Sequence, residues 1–155
     1  QQVSQLQYAQ EKKALYDEIF PDYSRNQKGG IIGNTKRLQW LETAQVVGEK
    51  YDIPGLQYTL QNARQTQQSY DHFWHPTIRL DVARMELKMT LVHEGDWFAV
   101  VRYLRRYAKG LFSIEKCNIK LIDERDGDVV KGMTSDCMLD WFTLDDVTTS
   151  WEEQR

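Results

Sequence analysis

Residues 84–122, RMELKMTLVHEGDWFAVVRYLRRYAKGLFSIEKCNIKLI, decide the fold because a strand, a helix and a second strand follow one another there. The first strand is predicted by apolar residues that alternate with polar ones: Met85, Leu87, Met89 and Leu91. The helix is predicted by apolar residues at helical spacing: Trp97, Val100, Val101, Leu104 and Tyr107–Ala108. Asp96 is its expected N-cap, and Gly110 its expected stop.

The same order of elements occurs twice. Upstream, Asn34 or Thr35 is the predicted cap of a helix that ends near Asp52, and residues 56–61 alternate as a strand. Downstream, one predicted strand carries Cys117, Ile119 and Leu121 on one face, and the next carries Cys137, Leu139 and Trp141. Two αββ units with their helices on one side of an antiparallel sheet predict an α+β fold. We expect a ferredoxin-like two-layer sandwich over residues 34–145.

The ends of the chain look different from this domain. Residues 1–20 lack Gly and Pro and predict a polar helical arm that ends at Pro21. Its apolar stripe is loose, so the arm either packs on a partner or frays as a terminal helix. Three glycines and Pro21 in residues 21–34 predict a flexible linker, which places the boundary of arm and linker at residues 1–33. Residues 146–155 form an acidic tail, and residues 62–77 are a long polar segment without a clear element.

Charge and hydropathy exclude several classes of protein. The net charge is −3, and residues 145–155 alone carry four acidic residues against Arg155, so the rest of the chain is balanced. A balanced chain argues against a dedicated nucleic-acid-binding protein. The longest apolar run, residues 97–101, is far shorter than the ~20 residues of a membrane helix, so these residues are expected to form a soluble domain.

The two cysteines are candidates for a disulfide. Cys117 and Cys137 lie equally far from Gly127, so a hairpin centred there places them opposite each other on adjacent strands. An oxidising compartment favours the bridge, whereas two reduced, buried cysteines are expected in the cytosol.

Residue patterns for catalysis are weak. His72 and His75 lie beside Asp71 without the spacing of a strong metal site, and surface packing is the default interpretation. His93-Glu94 is more typical of a helix start than of acid–base chemistry. Gly29–Gly33 has neither the lysine of a phosphate loop nor a preceding strand. We therefore expect no enzyme activity, no metal and no cofactor.

Residues 84–122, followed by SDCMLDWFTL at 135–144, resemble the proteobacterial family of PilO-like proteins of type IV pilus assembly. They are more distantly similar to GspM-like proteins of type II secretion. The resemblance covers roughly residues 35–145, and its most specific parts are LVHEGD at 91–96 and CMLDW at 137–141.

This resemblance implies a non-enzymatic periplasmic scaffold of a bacterial inner-membrane assembly complex. Such proteins pair with themselves or with a PilN-like partner, and a membrane helix would precede the first residue of this chain. The expected contact surfaces are the strand edge of the second unit, the arm, and aromatic residues of the polar segment: Tyr70, Phe73 and Trp74. The alternative function is a ferredoxin-like regulatory domain that binds a small molecule.

Overall fold

A computed structural model describes residues 2–62, 64–65, 77–122 and 132–146. It contains three helices, α1 (Gln2–Lys28), α2 (Arg37–Lys50) and α3 (Glu94–Tyr107). The strands are β1 (Gln57–Leu60), β2 (Arg64–Gln65), β3 (Ile78–Leu91), β4 (Leu111–Leu121) and β5 (Met133–Asp146). The predicted order of helix, strand and strand occurs twice after the arm, and the two-residue β2 is an addition to it.

The strands form one antiparallel sheet in the order β1-β3-β5-β4, with β2 also paired to β3. The two long central strands pair along their whole length, from Ile78 opposite Asp146 to Leu91 opposite Met133. The short β1 and the longer β4 are therefore the outer strands of this order. The α+β class predicted from the sequence is confirmed.

One face of the sheet carries the core because successive side chains of a strand point to opposite faces. On β3 the residues from Ala83 to Leu91 with odd numbers are buried, and on β5 Cys137, Leu139 and Trp141 are fully buried. Trp97, Val100 and Leu104 of α3 and Trp40 and Val47 of α2 belong to the same cluster. Both helices therefore pack on a single face of the sheet.

The N-terminal arm is longer than predicted. We expected the helix to end at Pro21, but α1 includes Pro21 and continues to Lys28. Proline removes one backbone donor, yet its φ angle is compatible with a helix, so the flanking hydrogen bonds can continue the helix past it. The helix ends instead at Gly30, whose φ of 80° lies in the left-handed region.

Two hydrogen bonds define this C-terminal end. The amide of Gly30 donates to the carbonyl of Gln27 (3.1 Å), and the amide of Ile31 donates to the carbonyl of Asn26 (3.0 Å). This pair of bonds is the Schellman motif, in which a left-handed residue allows the chain to turn back over the last helical turn. Glycine is favoured there because a side chain strains that conformation.

The helix starts also differ from the predictions. The N-cap of α2 is Lys36, which makes no side-chain capping bond, and not Asn34 or Thr35. The N-cap of α3 is His93, and Asp96 lies at the third helical position. The Asp96 carboxylate accepts from the amides of His93 (3.2 Å) and Val92 (2.9 Å), so it satisfies donors that precede the helix.

The first strand of the 84–122 stretch is also longer than the alternation predicted. β3 begins at Ile78, where residues of both parities are partly buried and the period of two is lost. At the other end of the domain, Asp146 belongs to β5, so the strand takes the first residue of the predicted acidic tail. Residues 147–155 lie outside the described residues.

Candidate interaction surfaces

The structure places the two cysteines directly opposite each other and joins them. Cys117 of β4 pairs with Cys137 of β5, their Cα atoms are 4.0 Å apart, and their Sγ atoms form a disulfide. Leu121 pairs with Met133 in the same register, which is symmetric about residue 127 as expected. Residues 123–131, including the predicted turn, lie outside the described residues.

The surroundings of this bridge are polar on one side. The hydroxyl of Ser135 lies 3.1 Å from Sγ of Cys137 and 3.8 Å from Sγ of Cys117. Cys137 is fully buried, whereas Cys117 is half-buried because it belongs to an outer strand. The disulfide thus links the outer strand β4 covalently to the central part of the sheet.

The outer strand β4 carries apolar side chains that the helices do not cover. Ile114, Ile119 and Leu121, here called the β4 stripe, pair with core-facing residues of β5 and therefore point to the helix side of the sheet. They are nevertheless 38%, 42% and 79% exposed. The extensive contacts of α2 and α3 are with each other, with β1 and with β3, so the helix layer stops short of β4.

β4 also has features that restrict pairing with other strands. A register shift between Ile114 and Lys116 interrupts its ladder with β5, and Lys116 and Lys120 are exposed on it. Bulges and lysines are common on outer strands because they disfavour indiscriminate edge-to-edge pairing. A partner of β4 must therefore match its shape and charge, and the β4 stripe is the apolar part of that surface.

The arm carries the largest group of exposed apolar side chains. They are 43–61% exposed, and most of them follow one side of α1: Leu6, Tyr8, Leu15, Tyr16, Ile19, Phe20 and Tyr23. Five of them, from Leu15 to Tyr23, line one continuous depression together with Lys12 and Lys13. We call the seven residues that line this depression the arm surface. Among the described helices and strands, none makes extensive contacts with α1.

Part of the arm surface was missed from the sequence. Ending the helix at Pro21 left out Tyr23 and made the stripe look short and irregular. The spacing of Tyr16, Ile19 and Tyr23 is helical and continues past Pro21, and that continuation was the available signal. The rings of Tyr16 and Phe20 stack with their centroids 5.0 Å apart, which keeps the apolar surface continuous.

The segment after the arm is docked on the sheet and does not behave as the flexible linker predicted. The amide of Leu144 donates to the carbonyl of Ile31, and the amide of Gly33 donates to the carbonyl of Leu144, each at 2.8 Å. The pairing of β4 with β5 stops at Leu111 opposite Phe142, so Leu144 lies beyond it. The linker therefore occupies the part of the β5 edge that β4 leaves unpaired.

The base of the arm also contacts the end of α3. A Cβ atom on Gly30 would lie only 2.9 Å from Cβ of Lys109, so the two backbones approach closely. Trp40 of α2 donates from Nε1 to the carbonyl of Lys109 and stacks on Trp141 with ring centroids 4.6 Å apart. The end of α3 thus joins the arm base to the core.

The residues considered for chemistry either have structural roles or lie outside the described residues. His93 caps α3, and its Nδ1 lies 3.6 Å from a carboxylate oxygen of Asp96. His72, His75 and the aromatic candidates Tyr70, Phe73 and Trp74 lie outside the described residues. Within the described ranges, no cluster of three or more His, Cys, Asp or Glu could hold a metal ion. The basic residues at the end of α3 are exposed: Arg102, Arg105, Arg106 and Lys109.

The sheet face opposite the helices is crossed by ion pairs. Arg84 donates two hydrogen bonds to Asp140, at 2.8 and 2.9 Å, although Asp140 is 5% exposed. Near the other end of this face, Lys88 and Asp136 approach to 4.0 Å. They line a shallow polar depression that also contains Thr90, Asn118, Lys120 and Thr134.

Comparison with other proteins adds no assignment. Among the described residues, no helix is both long enough and apolar enough to cross a membrane. No protein-family model matches the chain, and neither curated proteins nor solved structures give a significant match.

Proposed function

We propose that this chain is a non-enzymatic scaffold that works by protein–protein contact, and that it is the PilO-like periplasmic component of a pilus or secretion assembly complex. The observation that carries the proposal is the combination of a long exposed helical arm with a small α+β domain whose outer strand keeps an uncovered apolar stripe. Grouped apolar side chains that remain exposed are typical of sites that bind other proteins.

The finer fold is part of the same proposal. A ferredoxin-like sandwich that starts at a helix has two αββ units. The last strand of each unit lies in the middle of the sheet, and these two strands pair with each other. The order β1-β3-β5-β4 with antiparallel pairing throughout agrees with that arrangement. Two helices on one face of the sheet agree with it as well.

The disulfide supports an oxidising compartment. Bridges such as Cys117–Cys137 persist in the periplasm and are rare in the bacterial cytosol, where thiols are kept reduced. A periplasmic location, which the family resemblance implies, is part of the proposal. The homodimer and the complex with a PilN-like protein are the two pairings proposed for it.

The test is a binding experiment with a PilN-like protein of the same organism. We expect the two to co-purify from the periplasm, and we expect Leu121→Lys to weaken the complex at least tenfold because a buried charge replaces an apolar contact. Leu38→Lys on α2 is the matched control, since Leu38 is 70% exposed and α2 has no extensive contact with β4 among the described elements. Equal binding by both variants would remove the β4 stripe from the interface.

The alternative proposal is a regulatory domain that binds a small molecule. The polar depression with Lys88 and Lys120 is the place for an anionic ligand on the described surface. If no pilus or secretion component binds while a small anion raises the melting temperature, and Lys120→Ala abolishes that rise, the scaffold proposal fails and the alternative stands.

A further inference from the structure

Four residues of the arm surface form a line along α1. At 100° per residue, Lys12, Tyr16, Ile19 and Tyr23 fall on one line along α1 with the spacing i, i+4, i+7, i+11. Leu15 and Asp22 flank this line on one side, and Lys13 and Phe20 flank it on the other. The line has the spacing at which a second helix packs against the first.

Lys12, the first residue of this line, restricts how a partner helix can lie. Nζ of Lys12 lies 4.8 Å from the ring centroid of Tyr8, so its charge stays over the apolar surface. In a parallel, in-register pair of arms, each Lys12 would face the Lys12 of the other copy, with both Lys13 side chains beside them. Like charges that face each other across a helix interface oppose association.

An antiparallel pair removes this conflict. If Tyr16 of one copy faces Ile19 of the other, Lys12 faces Tyr23 of the other copy, and Asp22 of that copy lies beside it. A lysine over a tyrosine ring and beside a carboxylate is doubly stabilised. Asp22 already approaches its own Arg25 at 3.2 Å with both side chains exposed, so it remains accessible to a second cation.

We infer that the arm surface binds the arm of a second copy of this chain in an antiparallel pair, with Tyr16 of each copy opposite Ile19 of the other. The two-fold axis passes between positions 17 and 18 of both arms, and the Lys12–Tyr23 contact occurs twice. This inference rests on the proposed scaffold function for its role, because it names the partner of one surface of that scaffold.

Cysteine cross-linking of the whole chain distinguishes the orientations. In the antiparallel pair, Ala9 faces Asn26 of the second copy. Both side chains are exposed, and the two positions continue the spacing of the line, three residues before Lys12 and three after Tyr23. In a parallel pair these positions are about 25 Å apart along the axis, at about 1.5 Å per residue. A disulfide requires Cα atoms within about 7 Å. We therefore mix differently tagged Ala9→Cys and Asn26→Cys chains, oxidise them, and map the bridged peptides.

The inference expects a 9–26 bridge in the mixture, no bridge when either variant is oxidised alone, and a dimer in sedimentation velocity. Ala14→Cys is the matched control because Ala14 is an exposed alanine on the opposite side of α1, so its mixture with Asn26→Cys stays unbridged. A 9–9 bridge in Ala9→Cys alone shows parallel arms and overturns the inference. Equal bridging of Ala14→Cys and Ala9→Cys also overturns it.

Two results separate this inference from the proposed function. A chain that stays monomeric at all concentrations but binds the PilN-like protein overturns the self-pairing and leaves the scaffold proposal intact. A dimer without the 9–26 bridge places the self-association on another surface and has the same consequence. A 9–26 bridge in a chain that binds no assembly component supports the self-pairing and counts against the scaffold.

Discussion

Reduction of the Cys117–Cys137 bridge is expected to lower the free energy of unfolding by about 3 kcal/mol. The bridge closes a loop between residues that are 20 apart in sequence. The chain-entropy estimate for a loop of that size is about 11 cal/mol/K, which is about 3 kcal/mol at 25 °C. The effect arises mainly in the unfolded chain, because the two residues already pair directly in the antiparallel ladder of the folded state.

Urea unfolding followed by far-ultraviolet circular dichroism, with and without a dithiol reductant, measures this difference. The reduced chain should unfold at lower urea and with a larger m-value, since its unfolded state is less compact. The Cys117→Ala/Cys137→Ala variant is the control, and reductant should leave its unfolding curve unchanged. A change below about 0.5 kcal/mol on reduction, within the range of a neutral surface substitution, would refute the argument.

Two further predictions concern the junction of arm and core. Trp40→Phe should lower the free energy of unfolding by about 2–4 kcal/mol in urea titrations, because the carbonyl of Lys109 loses its donor and the fully buried indole leaves a void. A loss below about 1 kcal/mol would contradict this reading. Gly30→Ala should cost about 1–2 kcal/mol from its positive φ and should speed hydrogen exchange at the amide of Leu144, because the segment that bonds there is displaced. Gly29→Ala is the control because Gly29, unlike Gly30 and Gly33, has no positive φ. It should leave the exchange rate of the Leu144 amide nearly unchanged.

The parts of the fold that were predicted correctly are those whose side chains carry a clear period. α3 has a buried face at helical spacing, and the strands around Cys117 and Cys137 have apolar residues at every second position. Symmetry of the two cysteines about residue 127 then predicted the register. Periodicity reports burial on one face, so it identifies elements that lie half in the core.

The parts that were missed depend on the backbone. The sequence marks Pro21 as a break because a proline removes one helical hydrogen bond and its ring crowds the preceding turn, yet the backbone of α1 continues through it to Lys28. Asp96 caps α3 from its third position because a carboxylate there can reach back to the amides before the helix. The docking of residues 31–33 uses backbone hydrogen bonds to Leu144, which no side-chain pattern predicts.

The candidate surfaces were predicted only in outline. The outer strand and the arm were expected to make contacts, but the exposure of Ile119 and Leu121 depends on where the helix layer ends. That position follows from the packing of α2 against α3, which local sequence does not specify. The arm surface likewise required the correct end of α1.

β5 positions both surfaces, and this connects them. At one end, Cys137 of β5 holds β4 through the disulfide, close to the part of β4 that carries Ile119 and Leu121. At the other end, Leu144 of β5 holds the base of the arm through two backbone hydrogen bonds. β5 is paired with β3 on one side and with β4 on the other along most of its length, so its backbone is well supported where both surfaces attach to it. A substitution that weakens the β5 ladder should therefore disturb binding at both surfaces, whereas Gly30→Ala should disturb binding only at the arm.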